Sequence, residues 1–102
     1  MLGFLQKLFG GTPVDYKDLM SKGAIIVDVR SQAEYKSGHI NGSKNYPLDS
    51  LRSKINDLKK QNKPVITVCL SGGRSGMAKN ILKAAGIEVY NGGPWTSLRS
   101  KI

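Results

Sequence analysis

Cysteine is almost missing from this chain: Cys69 is the only one in 102 residues, which excludes an intramolecular disulfide. His39 is likewise the only histidine, so the chain cannot assemble the Cys/His clusters that hold zinc or an iron–sulfur centre, and no metal or cofactor is expected. The missing second thiol also bears on chemistry. Whatever sulfur or oxidation is placed on Cys69 finds no internal thiol to resolve it and needs an external acceptor.

Long apolar runs are lacking too. The first ten residues place Leu2, Leu5 and Phe9, with Phe4 and Leu8, at helical spacings. That stretch is too short to span a bilayer, and it lacks the basic start and small-residue cleavage site of a secretory signal. Packing on the domain, a weak membrane-surface contact and a frayed tail all stay open for this apolar tail or short helix, residues 1–11, with Gly10-Gly11 as a hinge. The default expectation is a cytoplasmic protein.

Acidic residues are scarce, 7 against 16 Lys and Arg for a net charge of +9, which favours anionic partners. Lys54, Lys59, Lys60, Lys79 and Lys83 are scattered along expected helices as solvated faces. No aromatic residues interleave with them as in single-strand binders, so no specific nucleic-acid partner is expected. Steering of an anionic substrate and plain solubility account for the field about equally well.

What remains supports one domain over residues 12–102, large enough to bury a core. Asp15 caps a short helix from Tyr16 to about Ser21, with Gly23 beyond its end. Ala24 to Val29 reads as a strand buried on both faces. Ser31-Gln32-Ala33-Glu34 is a capping box for a helix that Gly38 closes. A short strand at Ser43–Tyr46 follows, then a helix from Asp49 or Ser50 to about Gln61 with Leu51, Ile55 and Leu58 on one face. Val65–Val68 leads as a strand to Cys69, and Met77, Ile81, Leu82 and Ala85 mark a helix from about Arg74 to Ala85. Ile87–Tyr90 gives a last strand, Asn91-Gly92-Gly93-Pro94 a turn, and Trp95–Leu98 a final helical turn. This alternation implies an α/β domain with a mainly parallel central sheet and helices on both faces.

Against that frame, Cys69 stands at the carboxyl end of a strand, where open α/β sheets place their ligand crevice. The stretch Cys69-Leu70-Ser71-Gly72-Gly73-Arg74-Ser75 then runs into a helix. Such a loop points successive backbone N–H groups inward, and with the helix start it stabilises an anion. Cys69 is therefore expected to titrate below a free thiol and to act as a nucleophile, whereas a cysteine kept for packing belongs inside the Val-Ile-Thr-Val run.

Four further segments carry a resemblance. Asp28-Val29-Arg30 with Glu34-Tyr35, Gly38-His39-Ile40-Asn41-Gly42-Ser43 and Asn45-Tyr46-Pro47-Leu48 closely resemble the first signature of rhodanese-like domains. Cys69–Ser75 resembles their active-site loop, and Asn91-Gly92-Gly93 with Trp95 their C-terminal element, in order from about Val14 to Leu98. Pro94-Trp95 and the absence of a second tryptophan depart from the common pattern there.

The resemblance implies a thiosulfate sulfurtransferase. Thiosulfate or a similar donor gives its outer sulfur to Cys69 as a persulfide, and cyanide or an external thiol, a thioredoxin-like protein among the candidates, receives it. On that reading the amides of Leu70, Ser71, Gly72, Gly73 and Arg74 hold the persulfide, both glycines allow the turns that aim them, and Arg74 binds the anionic donor. The Ser71 and Ser75 hydroxyls can add hydrogen bonds, with Ser75 read first as a helix-start residue. Four residues separate Cys69 from Arg74. Related cysteine phosphatases place five, which makes phosphatase chemistry the weaker enzyme reading. A sulfur-carrier or interaction module fed by a partner protein is the main alternative, and a redox-sensing thiol a third.

Supporting roles are assigned to three residues. Asp28 accepts loop N–H bonds or caps its strand. Arg30 pairs with Glu34, or else faces the pocket. His39 makes a structural hydrogen bond rather than serving as a base. Trp95 and Tyr46 read as core or pocket wall.

Overall fold

β-Branched runs become the centre of a parallel sheet. β1 (Ile25–Asp28) and β3 (Val65–Cys69) are buried along their whole length, as strands covered on both faces must be. β2 (Lys44–Asn45) lies beside β1, and β4 (Val89–Pro94) beside β3. The four strands run in the order β2-β1-β3-β4, all parallel. The computed structural model describes residues 13–102, so the reading of residues 1–11 lies outside the described residues.

The period of two along each strand divides the core. Ile25, Val27, Val29, Val65 and Cys69 pack on one face with Leu51, Leu58, Ala78 and Leu82. Ile26, Ile66 and Val68 pack on the other with Leu19, Ile40 and Leu98. At about 1.5–3 kcal/mol for each fully buried aliphatic side chain, both layers contribute heavily. Helices cover both faces: α3 (Ile55–Gln61) and α4 (Gly73–Ala84) on the first, α1 (Tyr16–Ser21) and α5 (Trp95–Arg99) on the second.

Local signals place the helix ends. The Asp15 carboxylate accepts from the Asp18 N–H at 3.0 Å at the start of α1. Ser31 and Glu34 form the reciprocal capping box of α2 (Gln32–Ser37). No helix among the described residues is long and apolar enough to cross a membrane.

Two segments differ from the sequence reading. The expected helix from residue 49 to Gln61 divides into a 3-10 helix, Leu48–Lys54, followed by α3. Pro47 at its start offers no side-chain acceptor to the first turn, and the tighter i→i+3 winding satisfies part of it.

The residues read as a turn, Asn91–Pro94, instead continue β4 to the end of the sheet. Turn composition is accommodated there by a bulge: Thr67 pairs with Asn91 and Val68 with Gly93, and Gly92 is skipped. A Cβ on Gly92 would stand 2.9 Å from Ile66 Cγ2 and 3.0 Å from Thr67 O, so only glycine fits. Pro94 falls on an edge strand, where its missing donor costs little.

Candidate active site

Cys69 is the last residue of β3 and is wholly covered. Immediately after it the chain turns through Gly72 at φ +103° into α4. That conformation is closed to other residues without strain, and it brings the Gly72 N–H to 2.9 Å from Cys69 Sγ. Burial pushes the thiol pKa up, but the Ser75 hydroxyl and the backbone N–H groups of Ser75, Gly72 and Ser71 outweigh it. The net direction is down from the ordinary 9.0. The sulfur therefore sits in a fixed cradle of donors.

Not every loop residue has its expected part. Gly73 is the first residue of α4, has no positive φ and would meet nothing within 4 Å if it carried a Cβ. The turn thus depends on Gly72 alone. Leu70 and Ser71 are exposed, Leu70 to 60%.

Ser75, read first as a helix-start residue, is fully buried. Its hydroxyl lies 3.3 Å from Cys69 Sγ, 3.1 Å from Gly72 O and 2.6 Å from Asn91 Oδ1. The thiol donates to this hydroxyl oxygen, whose own proton is shared between Gly72 O and Asn91 Oδ1; once Cys69 is a thiolate, Asn91 competes with the sulfur for that proton. Asn91 was not expected in the site. Its Oδ1 also accepts the Gly93 N–H at 2.9 Å and its backbone oxygen accepts the Tyr16 hydroxyl at 3.1 Å. The bulge at Gly92 is what gives one side chain both partners.

The charged residues pair differently from the expectation. Arg30 does not bind the Glu34 carboxylate: its Nε and Nη2 donate to Asp28 at 2.7–3.1 Å, and Nη2 also donates to Gly38 O at 2.7 Å. Its guanidinium stacks 4.8 Å from the Trp95 ring. Asp28 spends its carboxylate on this arginine and on the Arg30 backbone N–H, rather than on the Cys69 loop. Both residues are sealed, at 0% and 3% exposure.

Glu34 instead meets Arg74, Nη1 to Oε1 at 2.7 Å and Nη2 to Oε2 at 2.9 Å. The Arg74 bonds, followed by those from Ser31, hold the Glu34 carboxyl down at about 2, and Glu34 in turn raises the Arg74 pKa. Arg74 also lines a cavity of about 300 Å³ with Val29, Ser31, Pro47, Leu48 and Asp49. Proximity in sequence had favoured Arg30 as the partner of Glu34; the true partner lies 40 residues away.

His39 donates from Nδ1 to Tyr35 O at 2.8 Å, and its ring stacks on Tyr35 with centroids 3.8 Å apart. Trp95 packs in the second core layer and Tyr46 against the first. The assembly as a whole offers a buried thiol with a lowered pKa, an amide cradle suited to an anion and an arginine at the mouth.

Comparison with known proteins gives this geometry a context. A profile of the family described as "Rhodanese-like domain" matches residues 12–94. "Thiosulfate sulfurtransferase GlpE" of Ectopseudomonas mendocina is 35% identical over 83 residues, 78% of this chain and 73% of that protein. "Putative sulfur carrier protein YrkF" of Bacillus subtilis is 36% identical over 63 residues, 62% of this chain, and the match spans only 34% of YrkF's own length. Among solved structures, "rhodanese with anions from E. coli" superposes with a TM-score of 0.67 at 32% identity, covering 72% of this chain and 89% of that one.

Proposed function

This chain belongs to the rhodanese-like domain family, and from that premise we propose that it is a sulfurtransferase which carries a sulfane sulfur as a persulfide on Cys69. The donor is thiosulfate or a similar sulfane compound, and the acceptor is cyanide or an external thiol. One observation carries the reading: a sulfur seated 2.9 Å from the Gly72 N–H at the start of α4, with its pKa lowered by that cradle.

The chemistry follows from the geometry. The thiolate attacks the outer sulfur of thiosulfate, a new S–S bond forms, and sulfite leaves with the electron pair of the broken one. Charge on the terminal sulfur of the resulting persulfide is met by the loop amides that had held the thiolate. An incoming thiolate or cyanide then attacks that terminal sulfur and regenerates Cys69. No second cysteine competes as an internal acceptor.

A carrier role, with sulfur supplied by a partner protein, is the second reading, and the likeness to YrkF supports it. Both readings meet one experiment: thiocyanate formation from thiosulfate and cyanide by wild type and Cys69→Ser, with intact mass after thiosulfate alone. Turnover lost in the variant, with a one-sulfur mass gain on wild type, is the expected outcome. Loading of Cys69 by an organic persulfide without thiocyanate turnover from either donor favours the carrier. No loading from either donor removes sulfur transfer altogether.

A further inference from the structure

We propose that Glu34 sets the donor class of this site: by neutralising Arg74 it turns the loop away from dianionic donors such as thiosulfate and toward sulfane sulfur carried on a thiol, R–S–SH. The inference rests on the reading that Cys69 accepts sulfur, and it narrows which donor does so.

The pair is built to persist. Both terminal nitrogens of Arg74 are engaged, each by its own carboxylate oxygen, at 2.7 and 2.9 Å, the fork-to-fork arrangement with the strongest directionality. Glu34 is anchored independently. It is the N3 residue of α2, and its Oε1 accepts from the Ser31 N–H at 3.2 Å and the Ser31 hydroxyl at 3.0 Å. A carboxylate tethered at both ends does not swing aside for a passing anion.

Few other charges favour a dianion at this loop. Arg74 is the one basic side chain between Cys69 and Ser75. The nearby Arg30 is sealed against Asp28. Within the loop itself, what remains positive is the set of amides and the start of α4, equivalent to roughly half an elementary charge, while Arg52 stands farther along the surface beside Leu48 and Met77. That suits a single negative charge on the Cys69 sulfur, with little left for two more on the donor. An organic donor also gains something thiosulfate cannot. Val29, Pro47 and Leu48 line the cavity beside Arg74, and Leu70 and Met77 stand 60% and 58% exposed on the loop and α4, offering apolar surface to a carbon body.

With such a donor the step balances without oxidant or reductant. The Cys69 thiolate attacks the outer sulfur of R–S–SH and forms the new S–S bond. The old S–S bond breaks, R–S⁻ takes its electron pair, and the persulfide proton neutralises it as R–SH.

Glu34→Gln tests the assignment, because glutamine also serves at N3 of a capping box and the helix start is kept. Kinetics with thiosulfate and with cysteine persulfide would be measured on both proteins. In parallel, the single cysteine would be alkylated with iodoacetate and with iodoacetamide, a pair of reagents differing by one negative charge. The variant is expected to raise kcat/KM for thiosulfate about tenfold, the effect of removing one charge at about 6 Å from a dianion in water. That gain should come through KM, and the value for cysteine persulfide should rise no more than about twofold. The iodoacetate-to-iodoacetamide rate ratio should rise about threefold, half of that energy for a monoanion. An unchanged or lower thiosulfate kcat/KM, or a gain without any change in the alkylation ratio, would overturn the role of Glu34. Failure of both donors to load Cys69 in either protein would instead defeat the sulfurtransferase reading, and the donor assignment with it, whatever the alkylation ratio.

Discussion

Two arginine–carboxylate pairs bracket α2, and they have almost nothing else in common. Asp28 and Arg30 are two residues apart, 0% and 3% exposed, and tied further to Gly38 O and the Trp95 ring. Glu34 and Arg74 are 40 residues apart, with side chains 33% and 37% exposed, and they join α2 to the loop that carries Cys69. Identical chemistry thus serves two ends. Deep burial makes the first pair expensive to disturb and fixes where β1 ends. Partial exposure leaves the second weak as a source of stability and free to act on whatever ion enters the mouth. Which pair matters to architecture, and which to reactivity, is decided by water.

The comparison is broken most forcefully at Asp28. Asp28→Asn leaves a guanidinium buried without its counter-charge and is expected to cost about 3–5 kcal/mol, measured by urea denaturation. A loss comparable to that of an exposed pair would show that the seal is not what distinguishes the two.

The glycines of the loop repeat the contrast between fixed and free on a smaller scale. Gly72→Ala forces an L side chain onto φ +103° and should lower stability by about 1–2 kcal/mol. Gly73→Ala, at an open helical position, should raise it by about 0.4–1 kcal/mol. Alkylation rates of Cys69 should fall in the first and hold in the second.

The smallest effect belongs to the exposed pair. The Glu34 carboxyl sits at about 2 in the fold against an ordinary 4.5. Its depressed pKa contributes stability that is present above about pH 4.5 and lost as pH falls toward 2. The urea midpoints of wild type and Glu34→Gln should therefore converge over that window and stay parallel above it. Separation persisting at pH 2 would mean that the glutamate acts through something other than its charge.

Sequence reading reached the architecture wherever one signal dominated. Uninterrupted β-branched runs gave β1 and β3, the Ser31–Glu34 box gave α2, and the step from strand to small residues to helix located Cys69. It failed where local composition and tertiary context disagree. Asn91-Gly92-Gly93-Pro94 has every mark of a turn, yet close packing of Gly92 against Ile66 and Thr67 draws it into the sheet. The site partners were missed for a related reason. Glu34 with Arg74, and Ser75 with Asn91, are contacts across 40 and 16 residues, and a single sequence contains no distance information at that range. Only Arg30 lay near enough to Glu34 to be named, and burial gave it to Asp28.

Helix α4 begins at a glycine and has no side-chain cap of its own. Its third residue, Ser75, and the capping residue Gly72 direct their N–H groups to Cys69 Sγ, so the sulfur holds the place that a serine or aspartate oxygen holds at other helix starts. Cys69 is thereby a structural member of the helix it faces. By thermodynamic reciprocity, a helix that favours negative charge on the sulfur is itself made firmer by that charge. Alkylating or protonating Cys69 is expected to loosen the first turn, which would make the amide protons of Gly72 and Ser75 a hydrogen-exchange gauge of what the sulfur is carrying.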